Sequence, residues 1–255
     1  MSPYADALIG AREPTPLIIE LAMKRIGHKG ADLIEPGNTL ASFDVALLHG
    51  VHMIELDVLP EHTDGSGRLF LAHDYQDLRK RDPLTLDEGL AHLASERFAE
   101  IGMIVDLKLP GYEQPVVEAV EAAGLAERTL ISTTYRESLP LLRATGTAAD
   151  LGWSVPRAKR DYTKSVTMKV PAMAILAGMR ATLPLRAGEA LRTGLCDALM
   201  VYWRLVTPRL VTSVQAAGGD LYVWTVDHAP RIRTLEALVV TGVITNDPRL
   251  FEAPA

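Results

Sequence analysis

The sequence predicts a single (β/α)8 barrel, on three observations. Short apolar runs that read as strands recur eight times, helix-like runs separate most of them, and the chain has 255 residues, a common length for one such barrel. A doubly wound open sheet is the competing arrangement. It would ordinarily carry a glycine-rich phosphate loop after an early strand, and the chain has neither a G-x-G-x-x-G nor a Walker sequence.

The strands are read, in order, at 23–29 (MKRIGHK), 52–58 (HMIELDV), 102–108 (GMIVDLK), 128–134 (RTLISTT), 149–155 (ADLGWSV), 197–203 (DALMVYW), 221–226 (LYVWTV) and 242–245 (GVIT). Each is short, rich in β-branched or aliphatic residues and followed by a polar loop. Helical patterns fall at 39–50, 85–99, 112–123, 135–144, 207–217 and 229–240, with Thr39, Thr85, Thr207 and Asp227 where N-caps or first turns belong. A further short strand at 68–73 (RLFLAH) suits a hairpin-like excursion after the second unit. Residues 1–22 read as an N-terminal extension and 23–255 as the barrel domain, with 156–195 a helical insert inside it.

Hydrophobic residues make up 48% of the chain and charged ones 23%, enough for a large core. The formal charge of −6 argues against a general nucleic-acid binder. Cys196 is the one cysteine, so no intrachain disulfide forms; it is expected as a buried, inert thiol. No basic leader precedes an unbroken apolar core and no run approaches about 20 apolar residues, so the expectation is a cytoplasmic protein without a transmembrane segment. The stretch PRAKRDYTK (156–164) reads as a solvated face, with peripheral contact to anionic lipid as the alternative. The oligomeric state is not legible.

Residues two apart on a strand share a face. Glu55 and Asp57 therefore point together, as do Asp106 and Lys108. Three carboxylates converging at strand ends would repel one another unless a cation joined them, and an all-oxygen set suits Mg2+ or Ca2+. A structural salt-bridge network with Lys29 and Lys108 is the competing explanation. His28 and His73 weigh against it, because each closes a strand-like run, where the C-terminal rim of a barrel gathers its chemistry.

In this order the residues resemble the glycerophosphodiester phosphodiesterase family, whose pattern is H-R-G, P-E-N-T-x-x-S-F, E-x-D-V, H-D, E-x-K, W-T-V-N and I-T-D-x-P. The chain offers His28-Lys29-Gly30, Pro36-Gly37-Asn38-Thr39-Leu40-Ala41-Ser42-Phe43, Glu55-Leu56-Asp57-Val58, His73-Asp74, Asp106-Leu107-Lys108, Trp224-Thr225-Val226-Asp227 and Ile244-Thr245-Asn246-Asp247-Pro248. The resemblance runs from about Lys24 to Leu250. It implies a TIM barrel holding a divalent ion on Glu55, Asp57 and Asp106, with His28 and His73 as general acid and base. Lys29 and Lys108 would contact phosphate, and Asn38 would support the site. Trp203 and Trp224 each close a strand and are candidate walls for the substrate, with core or rim packing the alternative; Trp224 also falls in the family's W-T-V motif. The implied reaction is hydrolysis of a glycerophosphodiester to an alcohol and glycerol phosphate, in some members through a cyclic phosphate.

The chain departs from the pattern at Lys29 for arginine, at Asp106 for glutamate, and at Gly37 for the glutamate of P-E-N-T, with Glu35 two residues away as a candidate substitute. The family's capping insertion has little room, since 32 residues separate His73 from Asp106. A short or absent cap would open the rim to a lysolipid, and a lysophospholipase D or sphingomyelinase D-like activity is the close alternative. A metal-dependent lyase would not need two rim histidines, and a silent binding barrel would not need the retained acids.

Overall fold

The computed structural model describes residues 23–155 and 169–252; the N-terminal extension and the basic stretch 156–164 lie outside them. Eight parallel strands close a barrel: β1 (Lys24–Gly27), β2 (Met53–Pro60), β4 (Gly102–Leu107), β5 (Thr129–Thr133), β6 (Asp150–Ser154), β7 (Ala198–Tyr202), β8 (Asp220–Trp224) and β9 (Gly242–Thr245). β1 closes the ring by pairing with both β9 and β2. The hairpin excursion is β3 (Leu69–Leu71), antiparallel to the end of β2. The open-sheet alternative is thereby set aside.

The helices are α1 (Leu40–Leu48), α2 (Tyr75–Lys80), α3 (Leu86–Leu93), α4 (Glu113–Ala122), α5 (Ser138–Ala144), α6 (Lys169–Arg192), α7 (Pro208–Ala216) and α8 (Ala229–Ala237). Thr39, Thr85 and Thr207 cap α1, α3 and α7 through their hydroxyls, and Thr85 with Glu88 completes a capping box. Asp227 does not cap α8: His228 holds that position without a side-chain bond, because the Asp227 carboxylate is engaged by Thr245 and Asn246. Helix α2 has no counterpart in the sequence pattern, being only six residues with none of them buried. Asp74 caps it, accepting from the N–H groups of Gln76 and Asp77.

Two cores follow from strand alternation. Ile26, Met53, Ile104, Leu130, Ala198, Met200, Tyr222 and Ile244 fill the barrel's interior, while Ile54, Leu56, Val58, Met103, Val105 and Leu107 face the helices. Gly152 takes an inward position where a β-carbon would stand 3.1 Å from both Leu130 and Ser132. Between His73 and β4 the chain builds α2, α3 and a short 3-10 turn. Leu86, Leu90 and Leu93 of α3 join the outer core, so α3 is wall rather than cap. Likewise α6 is not wholly an insert, since its second half packs on α7 as a barrel helix. Cys196 is buried and burial pushes its thiol up to about 11, as expected of an inert residue.

Candidate active site

The inward positions above the interior core turn polar at the C-terminal ends of the strands. Glu55 and Asp57 continue the face begun by Met53, Asp106 follows Ile104, Ser132 follows Leu130, and Asn246 follows Ile244. One oxygen from each of Glu55, Asp57 and Asp106 lies within 4.8 Å of the others.

Fully buried Asp57 organises this cluster. Asn38 clamps it from both sides, donating its Nδ2 to Oδ2 at 3.1 Å and accepting the Asp57 N–H at 3.1 Å. Lys29 Nζ stands 3.6 Å from Oδ2. Lys108 pairs with Oδ1 and, at 2.5 Å, with Asp106 Oδ2, while Ser132 donates to Asp106 Oδ1 at 2.5 Å. Burial opposes charge on Asp57, but Lys108 and Lys29, aided by His28 and His73, hold its carboxyl below the usual range. Glu55 goes the other way. Burial and then the Asp57 charge push it well above the ordinary carboxylate range, against the pull of Lys108. Burial disfavours the Lys108 ammonium, yet Asp106, Asp57 and Glu55 together hold it well above a free lysine.

The donor set fits a hard divalent cation. It consists of three carboxylates, and Asp57 Oδ1 meets Lys108 only as an ion pair, without a hydrogen bond of acceptable geometry. The raised Glu55 expresses the same need, because three carboxylates so close cannot all ionise comfortably without another positive charge.

His28 leaves β1 beside these acids, with Nε2 3.8 Å from Glu55 Oε2. The chain then reverses through Lys29 and Gly30, both at positive φ. This turn aims the Lys29 N–H at Glu55 Oε2, 2.9 Å away, and Ser42 Oγ donates to the Lys29 carbonyl. The other ring nitrogen, Nδ1, lies 2.5 Å from Asn246 Oδ1. Asn246 Nδ2 in turn donates to Asp227 Oδ2 at 2.7 Å, and its backbone N–H to Asp227 Oδ1 at 2.8 Å. A carboxylate only accepts, so the amide must turn its NH2 to Asp227 and its oxygen to His28. His28 Nδ1 therefore carries a proton, and in the neutral ring Nε2 offers the lone pair.

His73 stands apart from the buried cluster. Half-exposed, it lies with Nδ1 3.4 Å from Asp74. It lines a pocket of about 370 Å3 together with Lys29, Asp32, Gly37, Asp77 and Arg81. The glutamate missing at 37 has no room here: a β-carbon at Gly37 would stand 2.4 Å from Asp32 Oδ1 and 2.7 Å from the Lys29 Cβ. Asp32 occupies that place, accepting the Gly37 N–H at 2.9 Å and standing 3.7 Å from Lys29 Nζ. Glu35 does not substitute; among the described residues its carboxylate has no polar partner.

Both tryptophans pack beside Tyr202. Trp224 lies against the interior core, its ring centroid 5.9 Å from that of Tyr202. Trp203 opens the 3-10 turn that follows β7, its ring 5.5 Å from that of Tyr202 and flanked by the guanidinium groups of Arg204 and Arg231 at 4.7 and 4.8 Å. Ser132, Tyr202 and Asn246 were within reach of the period-two rule, each lying two residues beyond an inward apolar side chain. Asp32 and Asp227 sit in loops, which carry no such periodic signal.

A family model described as the glycerophosphoryl diester phosphodiesterase family matches residues 154–250. A glycerophosphodiester phosphodiesterase of Caldanaerobacter subterraneus subsp. tengcongensis is 26% identical, aligning over 88% of this chain and 93% of the relative. Among solved structures, a glycerophosphodiester phosphodiesterase from Parabacteroides distasonis superposes with a TM-score of 0.64 at 17% identity, covering 91% of this chain and 95% of that one. An Oleispira antarctica phosphodiesterase in complex with the product sn-glycerol-3-phosphate gives 0.62 at 18% identity, covering 90% and 97%. The structural likenesses bear on the fold, a TIM barrel in each case.

Proposed function

We propose that this chain is a member of the glycerophosphoryl diester phosphodiesterase family, whose model matches residues 154–250, and that it is a metal-dependent phosphodiesterase releasing an alcohol and glycerol phosphate from a glycerophosphodiester. The observation that carries this reading is the oxygen cluster of Glu55, Asp57 and Asp106 with His28 Nε2 beside it. These acids would hold a divalent ion, Mg2+ or Ca2+, which when bound supplies Lewis-acid charge to a phosphoryl oxygen. Lys29 and Lys108 add positive charge for the phosphate, Lys29 as a point charge rather than arginine's fork. His28, its Nδ1 proton directed to Asn246, is the base. Its Nε2 takes the proton of the attacking hydroxyl, whether water or the substrate's own neighbouring hydroxyl. His73, which lines a pocket with Lys29, returns a proton to the departing oxygen as the P–O bond breaks.

Replacing His28 or His73 by alanine tests these roles. Each change should lower kcat by about 10^2 to 10^4, the usual contribution of a positioned acid or base. Turnover close to wild type on a diester with a poor leaving group would remove that histidine from the mechanism.

A lysolipid diester is the second reading. It is supported by the lack of a cap between His73 and β4 and by Tyr202 and Trp224 at the mouth. Among the described residues no helix is long and apolar enough to cross a membrane, so such a substrate would be met at a surface. A cytoplasmic setting suits the single buried thiol.

A further inference from the structure

None of the six residues of α2 is buried, so no apolar packing fixes this helix in place. It nevertheless follows directly on His73, and its position decides where that ring stands. Polar contacts hold it instead. Tyr75 donates to the Pro60 carbonyl at 3.0 Å, and Asp74 caps the first turn. A third set of contacts converges on Arg81, the residue that closes the helix.

The Arg81 guanidinium joins three segments of chain. Its Nη1 donates to the Gly37 carbonyl at 2.7 Å. Its Nη2 donates to the carbonyl of Leu71, the last residue of β3, at 3.3 Å, and to Asp77 Oδ2 at 2.9 Å. The same Asp77 oxygen accepts the backbone N–H of His73 at 3.1 Å. In the other direction the Gly37 turn is tied to Lys29 through Asp32, which accepts the Gly37 N–H and stands 3.7 Å from Lys29 Nζ. Arg81 thus spans the gap between the loop that bears Lys29 and the loop that bears His73, and all three residues line one pocket.

An ordinary i, i+4 surface ion pair with Asp77 would contribute little. It would also leave the bonds to Gly37 and Leu71 without a purpose. The side chain is only 26% exposed, and a planar guanidinium presents its donors in a fixed fork. One rigid group therefore sets the spacing of all three acceptors.

We propose that Arg81 is a positioning residue, which holds His73 at the pocket it shares with Lys29 by bridging Gly37, Leu71 and Asp77. It acts through His73. The proposal rests on the phosphodiesterase reading above, with His73 as the acid toward the departing oxygen.

Two diesters of glycerol phosphate test it. Choline departs with a proton supplied by an acid, whereas p-nitrophenol leaves as a stabilised anion and needs little such help. Arg81→Met should lower kcat on glycerophosphocholine about tenfold or more, within the range a positioned acid contributes, with KM little changed. Its turnover of the p-nitrophenyl ester should stay close to wild type, as should that of the control His73→Ala. Arg81→Lys should show the same pattern with a smaller loss, since it keeps the charge beside Asp77 without the fork. Added to His73→Ala, Arg81→Met should lower kcat no further. Amide hydrogen exchange of segment 73–81 should quicken in Arg81→Met while that of α3 is unchanged.

Equal losses on both esters, a raised KM with kcat intact, or a full further loss in the His73→Ala background would overturn the proposal. Wild-type kcat and exchange in Arg81→Met would do so too. If His73→Ala treats the two esters alike, the acid role of His73 fails and the proposal with it. If wild type hydrolyses neither ester, the phosphodiesterase reading fails and exchange alone decides the tie. Faster exchange of segment 73–81 would then support it, and unchanged exchange would overturn it.

Discussion

The Asp227 carboxylate fixes which end of the Asn246 amide faces His28. Against the family pattern, W-T-V-N and I-T-D-x-P, this chain has exchanged the two residues, with aspartate at 227 and asparagine at 246. With the two residues so placed, an amide donates to a carboxylate and an oxygen faces His28 Nδ1.

Asp227→Asn should break that arrangement. The new amide would direct its NH2 at Asn246, whose own NH2 would then turn to His28 and force the proton onto Nε2. We expect kcat to fall about tenfold or more, within the range a positioned base contributes, with imidazole nitrogen shifts reporting the reversed tautomer. The reciprocal double variant Asp227→Asn, Asn246→Asp should recover both the tautomer and most of the rate. An unaltered tautomer and wild-type kcat in Asp227→Asn would show that Asp227 does not orient His28.

Gly37 and Asp32 share one space. Gly37→Ala should cost about 1–3 kcal/mol by overpacking, because its β-carbon would meet the Asp32 carboxylate. Asp32→Ala in the same chain should relieve much of that cost. Urea denaturation of the single and double variants gives the coupling directly, and a Gly37→Ala protein as stable as wild type would mean that Asp32 yields freely.

Glu55→Ala and Asp57→Ala should each abolish measurable binding of Mg2+ and Ca2+ by calorimetry, with the barrel still folded by circular dichroism. Undiminished binding in both would take the two residues out of the ligand set.

If the mouth is open, lysophosphatidylcholine below its critical micelle concentration should be turned over at least as well as glycerophosphocholine. The comparison is of kcat/KM. A preference for the small diester above about tenfold, or roughly 1.4 kcal/mol, would restrict the enzyme to small substrates.

Most of the architecture was legible because a barrel strand alternates its two faces, so MIELDV and MIVDL announce both the outer core and the inward acids. Loops gave less. Asp227 reads in sequence as an N-cap or first-turn residue because it precedes α8, and only the fold brings Asn246 close enough to claim its carboxylate. Asp32 has no periodic context, and its link to Gly37 is a matter of space that sequence does not express. Helix α2 escaped because six residues on an exposed surface carry no apolar stripe.

The most direct test of the central claim is hydrolysis itself. Purified protein would be assayed on glycerophosphocholine and glycerophosphoethanolamine with Mg2+ or Ca2+ and with chelator, the phosphorus products being followed by NMR. The geometry of Glu55, Asp57, Asp106 and His28 predicts metal-dependent release of glycerol phosphate or its cyclic form, lost with chelator and in Asp57→Ala. Absence of turnover on any phosphodiester, or turnover undiminished by chelator, would contradict it.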